Sequence, residues 1–346
     1  MRELFYIQMI ENIECLNEYV QVINNENRYW MVRTMGGSYY DEFVEEGFVA
    51  IGHNEFLLHN IRSLVEDDKL ALRELRAKVV ELYGNVERPG HIASQLLRFC
   101  RKISVGDILV IPSSSSEICI CKVTGDVYEE VDARENNGRC PFMKRIPVTI
   151  LEKTYRYLLP VKAQLMFNSR HPISDISGYA MYIDSMVSDY YNKDGETHIA
   201  LKIDTDDDVS VSAFYAIQQL FNITEDFCRG NGIDGSANDV IMKVQMESKG
   251  SLHFISTKKS FLALVGLGIL FINGGGLKIE SGNFKLDLST DGIFKKYDEH
   301  LDRNVDREIR VSIKNSLDQL KIKTPEDYKK AVIELYKTQN ENREEY

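Results

Sequence analysis

Aromatic, imidazole and guanidinium side chains stand in or at the ends of strand-like apolar runs early in this 346-residue chain. Trp30 and Arg33 belong to one run, and His53 ends the next. An indole offers a flat face on which a base can stack, and a guanidinium can pair with phosphate. The alternatives are that the only tryptophan anchors a core and that Arg33 pairs with Asp41 or Glu42.

Four further residues belong to the same candidate site. Asn54, next to His53, supplies a donor and an acceptor that can read the edge of a base. Gln95 and Arg98 lie on or near one side of a predicted helix, where they could approach a phosphate backbone. Tyr128 would add an aromatic wall. For each of these residues the alternative is an ordinary solvent-exposed side chain.

Short strands and helices must position these side chains. Apolar runs over 29–34 and 48–52 predict two strands. Residues 38–46, which start at a serine and end before a glycine, predict a helix between them. A hairpin is predicted over 108–123, and residues 145–151 predict its next partner. Together these elements predict a small curled sheet.

Six motifs follow one another along this region: Trp30-Met-Val-Arg33, Gly36-Gly37, Val49-Ala-Ile-Gly-His53, Gln95-Leu-Leu-Arg-Phe99, Gly106-Asp-Ile-Leu-Val-Ile-Pro112 and Val123-Thr-Gly-Asp-Val-Tyr128. With them, residues from about 28 to 160 resemble the PUA-like, EVE/YTH-related domain of Mrr-type restriction and other anti-phage proteins. The resemblance implies a pocket for one flipped or modified base, walled by Trp30 and His53, with Arg33 and Arg98 holding phosphate. His53 stands where related domains often carry an aromatic side chain.

The whole chain is predicted to be an α+β protein of four parts. Helical spacing of apolar residues over 4–23 predicts a leading amphipathic helix. From Thr197 onward the elements are predicted in the order β-α-β-β-α-β-β, after a helix over 176–191. The parts are the leading helix (1–27), a PUA-like small β-barrel domain with flanking helices (28–165), an α+β domain (170–290) and a helical tail (291–346).

An apolar stripe runs down one face of the tail from Ile293 to Leu317. A stripe of that length needs a partner surface. It either packs back on its own domain or binds a second copy or another protein. The tail is predicted as two charged helices, over 291–320 and 325–346.

The charge and the cysteine content limit which partners and which cell compartment are expected. A formal net charge of −11 argues against a large nonspecific nucleic-acid surface, because such a surface needs an excess of Lys and Arg. Between Arg76 and Lys162, however, 14 basic residues accompany 10 acidic ones, so nucleic-acid contacts are expected there. Six cysteines without a CxxC pair predict reduced core thiols in a cytoplasmic protein. The longest apolar run, 261–272, is too short to cross a bilayer.

A nuclease is the main rival interpretation. Asp234 followed by Glu247-Ser-Lys249 fits the order of the PD-(D/E)xK nucleases, where two carboxylates hold Mg²⁺ and a lysine orients water. The same stretch also predicts the tip of a hairpin. The acidic run over 204–208 could bind a cation, or it could begin a helix, where acidic residues are favoured.

We therefore predict a cytoplasmic sensor that captures a nucleic-acid base or a nucleotide in bacterial anti-phage defence, with no catalytic residue, cofactor or metal. The alternatives are a metal-dependent nuclease and a non-catalytic assembly protein that acts through its helical tail. The predicted ligand-binding residues are Trp30, Arg33, His53, Asn54, Gln95, Arg98 and Tyr128.

Overall fold

The computed structural model divides into two compact units. Unit 1 comprises Met1–Ile23 and Ser188–Tyr346, and unit 2 comprises Asn24–Val187. Unit 2 extends past the predicted domain end at 165 because a strand and a helix of its fold follow that residue. The structure describes residues 16–135, 139–203, 205, 211–245, 250–274, 278–281, 284–287, 292–304 and 307–344.

Both units mix helices and strands, which confirms the α+β class. The strands are β1 (Gln21–Val22), β2 (Tyr29–Val32), β3 (Phe48–Ile51), β4 (Ile108–Pro112), β5 (Glu117–Val123), β6 (Tyr128–Glu129), β7 (Lys144–Tyr155), β8 (Ile173–Asp175), β9 (Tyr190–Lys193), β10 (Glu196–Lys202), β11 (Ile241–Gln245), β12 (Ser251–Ser256), β13 (Lys278–Ser281) and β14 (Phe284–Asp287). The α-helices are α1 (Tyr40–Glu46), α2 (Leu58–Arg62), α3 (Asp68–Tyr83), α4 (Pro89–Leu97), α5 (Val161–Gln164), α6 (Ala180–Val187), α7 (Val211–Gly230), α8 (Lys259–Gly274), α9 (Gly292–Asn304), α10 (Arg307–Gln319) and α11 (Glu326–Glu344).

Unit 2 contains a curled, half-barrel sheet in the order β3-β7-β5-β4-β2-β8, with β6 also paired to β7. β2 and β4 run parallel, and the other described pairings are antiparallel. Consequently β2, β4 and β7 finish at the same end of the sheet, where β5 and β8 begin; we call it the Arg33 end. At the opposite end, the His53 end, β3 finishes and β7 begins. β7 has 12 residues, so at about 3.3 Å per residue the two ends lie more than about 30 Å apart along it.

Both faces of β2 are buried. Trp30 and Val32 pack in a core that includes residues of α1, α3 and α4. Tyr29 and Met31 point the other way, into a core that includes residues of α5 and α6. A strand covered on both faces carries a continuous apolar run instead of an alternating one. That requirement explains the Tyr-Trp-Met-Val sequence of β2.

Two loops fit closely together at the Arg33 end. Gly37, in the loop after β2, has φ +100°, a conformation that favours glycine. A Cβ at Gly37 would lie 2.2 Å from the backbone nitrogen of Ser114, in the β4–β5 turn. Only glycine therefore allows these two loops to approach as they do.

The prediction of a leading helix is wrong for its last residues. Residues 1–15 lie outside the described residues. Gln21–Val22 form β1, which pairs in parallel with Tyr191–Asn192 of β9. Likewise, the helix predicted over 176–191 ends at Val187, and β9 follows it. In both places strand pairing overrides a local helical periodicity, which is only a weak preference.

The fold of unit 1 matches the predicted element order. From β10 onward the elements are β10, α7, β11, β12, α8, β13 and β14, so the predicted β-α-β-β-α-β-β order is confirmed. Its larger sheet has the order β1-β9-β10-β12-β11, and β13 pairs with β14 alone. Apolar residues of β10 and β12 pack with those of α7 and α8 in one core.

The helical tail belongs to the core of unit 1. Its described residues form three helices, and the helix predicted over 291–320 corresponds to two of them, α9 and α10. Its stripe residues Tyr297, Leu301, Ile313 and Leu317 are at most 2% exposed and pack against α7 and α8. The Tyr297 hydroxyl lies 2.6 Å from that of Thr224 on α7. Packing on its own domain therefore covers these four stripe residues, whereas Ile309, on the same stripe, is 36% exposed.

The apolar run over 261–272 lies in α8, which is buried in unit 1. Within the described residues, the structure has no helix that combines the length and the apolar character needed to span a membrane. The cysteines of the described residues are free and buried, as predicted for core thiols, and Cys15 lies outside that part of the chain. They are Cys100, Cys119, Cys121, Cys140 and Cys228.

Candidate functional site

The structure separates the predicted site residues into groups. His53 and Asn54 follow β3, and Tyr128 pairs with Arg145 near the start of β7, so these three lie at the His53 end. Arg33 follows β2 at the Arg33 end. The seven predicted residues therefore do not line one pocket. The remaining three are Trp30, Gln95 and Arg98.

Trp30 is a core residue. It is 3% exposed, and its indole Nε1 donates a hydrogen bond of 2.8 Å to Asp107 Oδ2. Asp107 is itself 3% exposed and also accepts hydrogen bonds from the backbone nitrogens of Arg28 and Ser104. The indole has no open face for a base in this structure. The predicted stacking role of Trp30 is therefore replaced by the alternative, a core anchor.

At the His53 end, the imidazole belongs to a chain of hydrogen bonds. His53 Nδ1 lies 3.1 Å from the hydroxyl of Tyr83, which donates to Glu55 Oε2 at 2.7 Å. Burial, followed by the field of Lys144, lowers the pKa of His53, and Glu55 partly opposes this shift. His53 also has φ +62°, so its backbone adopts a left-handed turn. The side chain ties β3 to the end of α3.

Two more polar side chains hold this end together. Asn54 donates to the carbonyl of Pro141 at 2.7 Å and accepts from the backbone nitrogen of Met143 at 3.0 Å. Lys144 is fully buried, and its ammonium donates to the carbonyl of His53 at 2.8 Å. Asn54 is therefore used to join two loops. Tyr128, 39% exposed, is the predicted residue at this end that keeps a solvent-facing ring.

The polar and basic side chains of α4 and of residues 98–102 after it point in two directions. Gln95 is 4% exposed and accepts from the backbone nitrogen of Ile173, and Arg98 donates to the carbonyl of Ile173. Because Ile173 begins β8, both side chains lie at the Arg33 end. Arg101 donates instead to carbonyls between α2 and α3, and Lys102 pairs with a carboxylate of α3. Gln95 is therefore structural, and Arg98 remains at the candidate site.

Arg33 is half-buried and bonded to backbone. Its guanidinium donates to the carbonyls of Phe167 at 2.8 Å and of Ser169 at 2.5 Å. Burial and the nearby charge of Arg156 lower the pKa of Arg33. The alternative pairing of Arg33 with Asp41 or Glu42 is not among the ion pairs of the described residues. Arg33 therefore brings positive charge to the segment between β7 and β8.

Two histidines meet beside Arg33. Nε2 of His91, on α4, lies 2.6 Å from Nδ1 of His171, and their ring centroids are 4.7 Å apart. Burial lowers the pKa of His91, and the fields of His171, Arg88 and Arg98 lower it further. Every charged neighbour that shifts the pKa of His91 is thus cationic. An anion bound here would relieve that repulsion.

Sequence reasoning missed most of the side chains that form this end. Their signal is present in the sequence, because residues 88–106 and 153–174 contain no Asp or Glu. Arg156, which follows β7, packs its guanidinium 4.9 Å above the Phe167 ring. We name the following seven residues the cationic track: Arg33, Arg88, His91, Arg98, Arg156, Arg170 and His171. Within the described part of the chain, no residue of the cationic track forms an ion pair with a carboxylate.

Unit 2 also carries little of the net negative charge of the protein. It has 20 Lys and Arg against 22 Asp and Glu, whereas unit 1 has 22 against 31. The net charge of −11 is therefore concentrated in unit 1 and does not argue against an anionic partner of unit 2.

The described residues give no support to a nuclease centre. Asp234 is exposed, and its carboxylate accepts from the ammonium of Lys258 at 2.5 Å. Glu247, Lys249 and most of the acidic run over 204–208 lie outside the described residues. The hairpin predicted around Glu247 is confirmed by the pairing of β11 with β12. Among the described residues no group of three or more His, Cys, Asp or Glu side chains is arranged to hold a metal ion.

No protein-family model matches this chain, and no curated protein is significantly similar to it in sequence. The PUA-like resemblance of residues 28–160 therefore stays a prediction. The function has to be inferred from the chemistry of the Arg33 end.

Proposed function

We propose that unit 2 binds a nucleic acid or a phosphorylated nucleotide at the Arg33 end of its sheet and holds one base there, modified or not. The observation that carries the proposal is the cationic track. Six of its seven groups come from two acid-free segments, Arg33 is the seventh, and none of them forms an ion pair with a carboxylate among the described residues. Guanidinium groups without a carboxylate partner favour phosphate, because phosphate accepts charge-assisted hydrogen bonds from them.

The extent of the track favours a nucleic acid over a small anion. Arg156 follows β7, and His171 precedes β8. Four strand steps separate β7 from β8 in the sheet order. At about 4.8 Å per step they span roughly 19 Å measured along the curled sheet, and the guanidinium of Arg156 reaches back to the Phe167 ring. Seven cationic groups around this arc can contact more than one phosphate of one strand, which positions a nucleic acid without reading its sequence.

The PUA-like identity of unit 2 and its role as a sensor in bacterial anti-phage defence are further parts of this proposal. They rest on the resemblance of the motifs between residues 28 and 160. The curled, half-barrel sheet is compatible with that identity. The proposal differs from the predicted pocket in one respect: phosphate binding is assigned to the Arg33 end alone, without Trp30 or His53.

Fluorescence anisotropy with short labelled single-stranded and duplex oligonucleotides, measured over a series of salt concentrations, tests the proposal. Each phosphate contact contributes about one unit to the slope of log affinity against log salt concentration. The double variant Arg156→Gln, Arg170→Gln replaces two exposed cations of the track. We expect weaker binding by this variant and a salt slope that is lower by about two.

Lys122→Gln is the matched control. Lys122 is exposed and lies on β5 toward the His53 end, where it pairs with Ile108. Its replacement removes one positive charge from unit 2 but none from the track, so affinity and salt slope should stay at the wild-type values. If the control loses as much affinity per charge removed as the double variant does, only net charge matters, and the assigned site is rejected.

A further inference from the structure

Two tyrosines stand exposed where β7 ends. Tyr155 is 45% exposed and Tyr157 is 56% exposed. Their ring centroids lie 5.3 Å apart, and the ring planes meet at 18°, so the two rings are stacked. A single exposed aromatic ring is common on protein surfaces. Two stacked rings cover each other's inner faces and leave outer faces, onto which another flat ring can extend the stack.

The backbone that carries these rings is fixed at both sides. The Arg156 nitrogen, between the two tyrosines, donates to the carbonyl of Ser116 at 2.6 Å. The Leu159 nitrogen donates to the carbonyl of Arg156 at 3.2 Å, which closes a 3-10 turn. Leu159 itself is 3% exposed and anchors the turn in the core. The aromatic surface is therefore ordered before any ligand arrives, which lowers the entropy cost of binding.

The tyrosine pair adjoins the cationic track. Arg156 packs over the ring of Phe167, whose carbonyl accepts a hydrogen bond from Arg33. The turn that carries both rings thus also carries a guanidinium of the track. Aromatic rings beside a line of cations are the combination with which proteins bind single-stranded nucleic acids.

We propose that Tyr155 and Tyr157 form a stacking platform for an unpaired nucleobase whose phosphates lie on the cationic track. This inference rests on the proposed function and assigns its ligand class, a single strand or a base flipped out of a duplex. A base inside a duplex has both faces covered by its neighbours and must leave the stack to reach such a platform. Because every base has a π face, the platform selects the unpaired state and not the sequence.

The test compares a labelled single-stranded oligonucleotide with an abasic strand of the same length and with a blunt duplex, by fluorescence anisotropy. Wild-type protein should bind the base-containing strand about tenfold or more tightly than the abasic strand, the range that stacking of a base on an aromatic ring gives. The double variant Tyr155→Ala, Tyr157→Ala should bind both strands with the affinity that wild type has for the abasic strand. Tyr155→Phe, Tyr157→Phe should retain the wild-type difference.

Tyr128→Ala is the matched control, since Tyr128 is 39% exposed and lies at the His53 end. It should leave the difference between the two strands unchanged. Equal binding of both strands by the wild-type protein would reject the platform. So would an alanine double variant that has an unchanged melting temperature and still prefers the base-containing strand. In either case the exposed rings would suit a protein partner. Absence of binding to all three oligonucleotides would instead reject the proposed function itself.

Discussion

At the His53 end of the unit 2 sheet, Asn54 and Lys144 direct their polar groups at the backbone of neighbouring loops, and Tyr83 links His53 to a carboxylate. At the Arg33 end, Arg156 and the His91–His171 pair have cations and aromatic rings around them. The first arrangement satisfies charges inside the protein, and the second leaves positive charge for an outside anion. Similar residue types thus serve stability at one end and, in our proposal, binding at the other.

The largest expected effect concerns the residue that the sequence placed in the ligand pocket. Trp30→Ala should lower the free energy of unfolding by about 3–5 kcal/mol, because it leaves a cavity in the core and removes a hydrogen bond from buried Asp107. Urea unfolding followed by circular dichroism measures this loss. If the free energy of unfolding fell by less than about 1 kcal/mol and oligonucleotide binding were abolished, Trp30 would be a binding residue and not a core anchor.

Lys144→Met tests the His53 end. The substitution keeps a long side chain in the buried position but removes the donor for the His53 carbonyl. The free energy of unfolding should fall by about 1–3 kcal/mol, the cost of a buried acceptor left unpaired, and oligonucleotide affinity should not change.

Arg156→Met is the counterpart at the Arg33 end: we expect weaker binding with stability within about 0.5 kcal/mol of wild type. If Lys144→Met weakened binding and Arg156→Met lowered stability, the His53 end would be the binding end and the Arg33 end the structural one.

The pH dependence of binding should reveal the His91–His171 pair. The lowered pKa of His91 means that this imidazole is mainly neutral near pH 7. A bound phosphate favours the protonated form, so binding takes up a proton and affinity should rise as pH falls below the usual value of about 6.5. Anisotropy titrations at several pH values measure the rise. The double variant His91→Gln, His171→Gln should flatten it, and an equal rise in that variant would locate the titrating group elsewhere.

The smallest effect separates two arginines three residues apart. Arg98 lies with the track near Ile173, whereas Arg101 bonds to the connection between α2 and α3. Arg98→Gln should weaken oligonucleotide binding a few-fold, because one cation next to the phosphate path is lost. Arg101→Gln should leave the affinity unchanged in the same titration. Equal effects would mean that the interface extends along the whole basic end of α4.

Local sequence patterns predicted many of the elements. The β-α-β-β-α-β-β order from Thr197, the β11–β12 hairpin and the buried run of β2 follow from apolar periodicity and from turn residues, which act over a few positions. The same periodicity was misleading near residues 21–22 and 190–193. At 21–22 the strand conformation depends on parallel pairing with a segment far along the chain, and β9 pairs both with that segment and, antiparallel, with the adjacent β10.

For the candidate site, the sequence by itself determined the supply of groups: the acid-free stretches 88–106 and 153–174, the single tryptophan and the paired tyrosines around Arg156. Only the tertiary structure decided which of these groups meet. It buried Trp30 against Asp107, and the strand directions placed Arg33 and His53 at opposite ends of the sheet. The physical reason is that burial and proximity depend on which strands pair, and pairing partners lie many residues apart, beyond the reach of any local pattern.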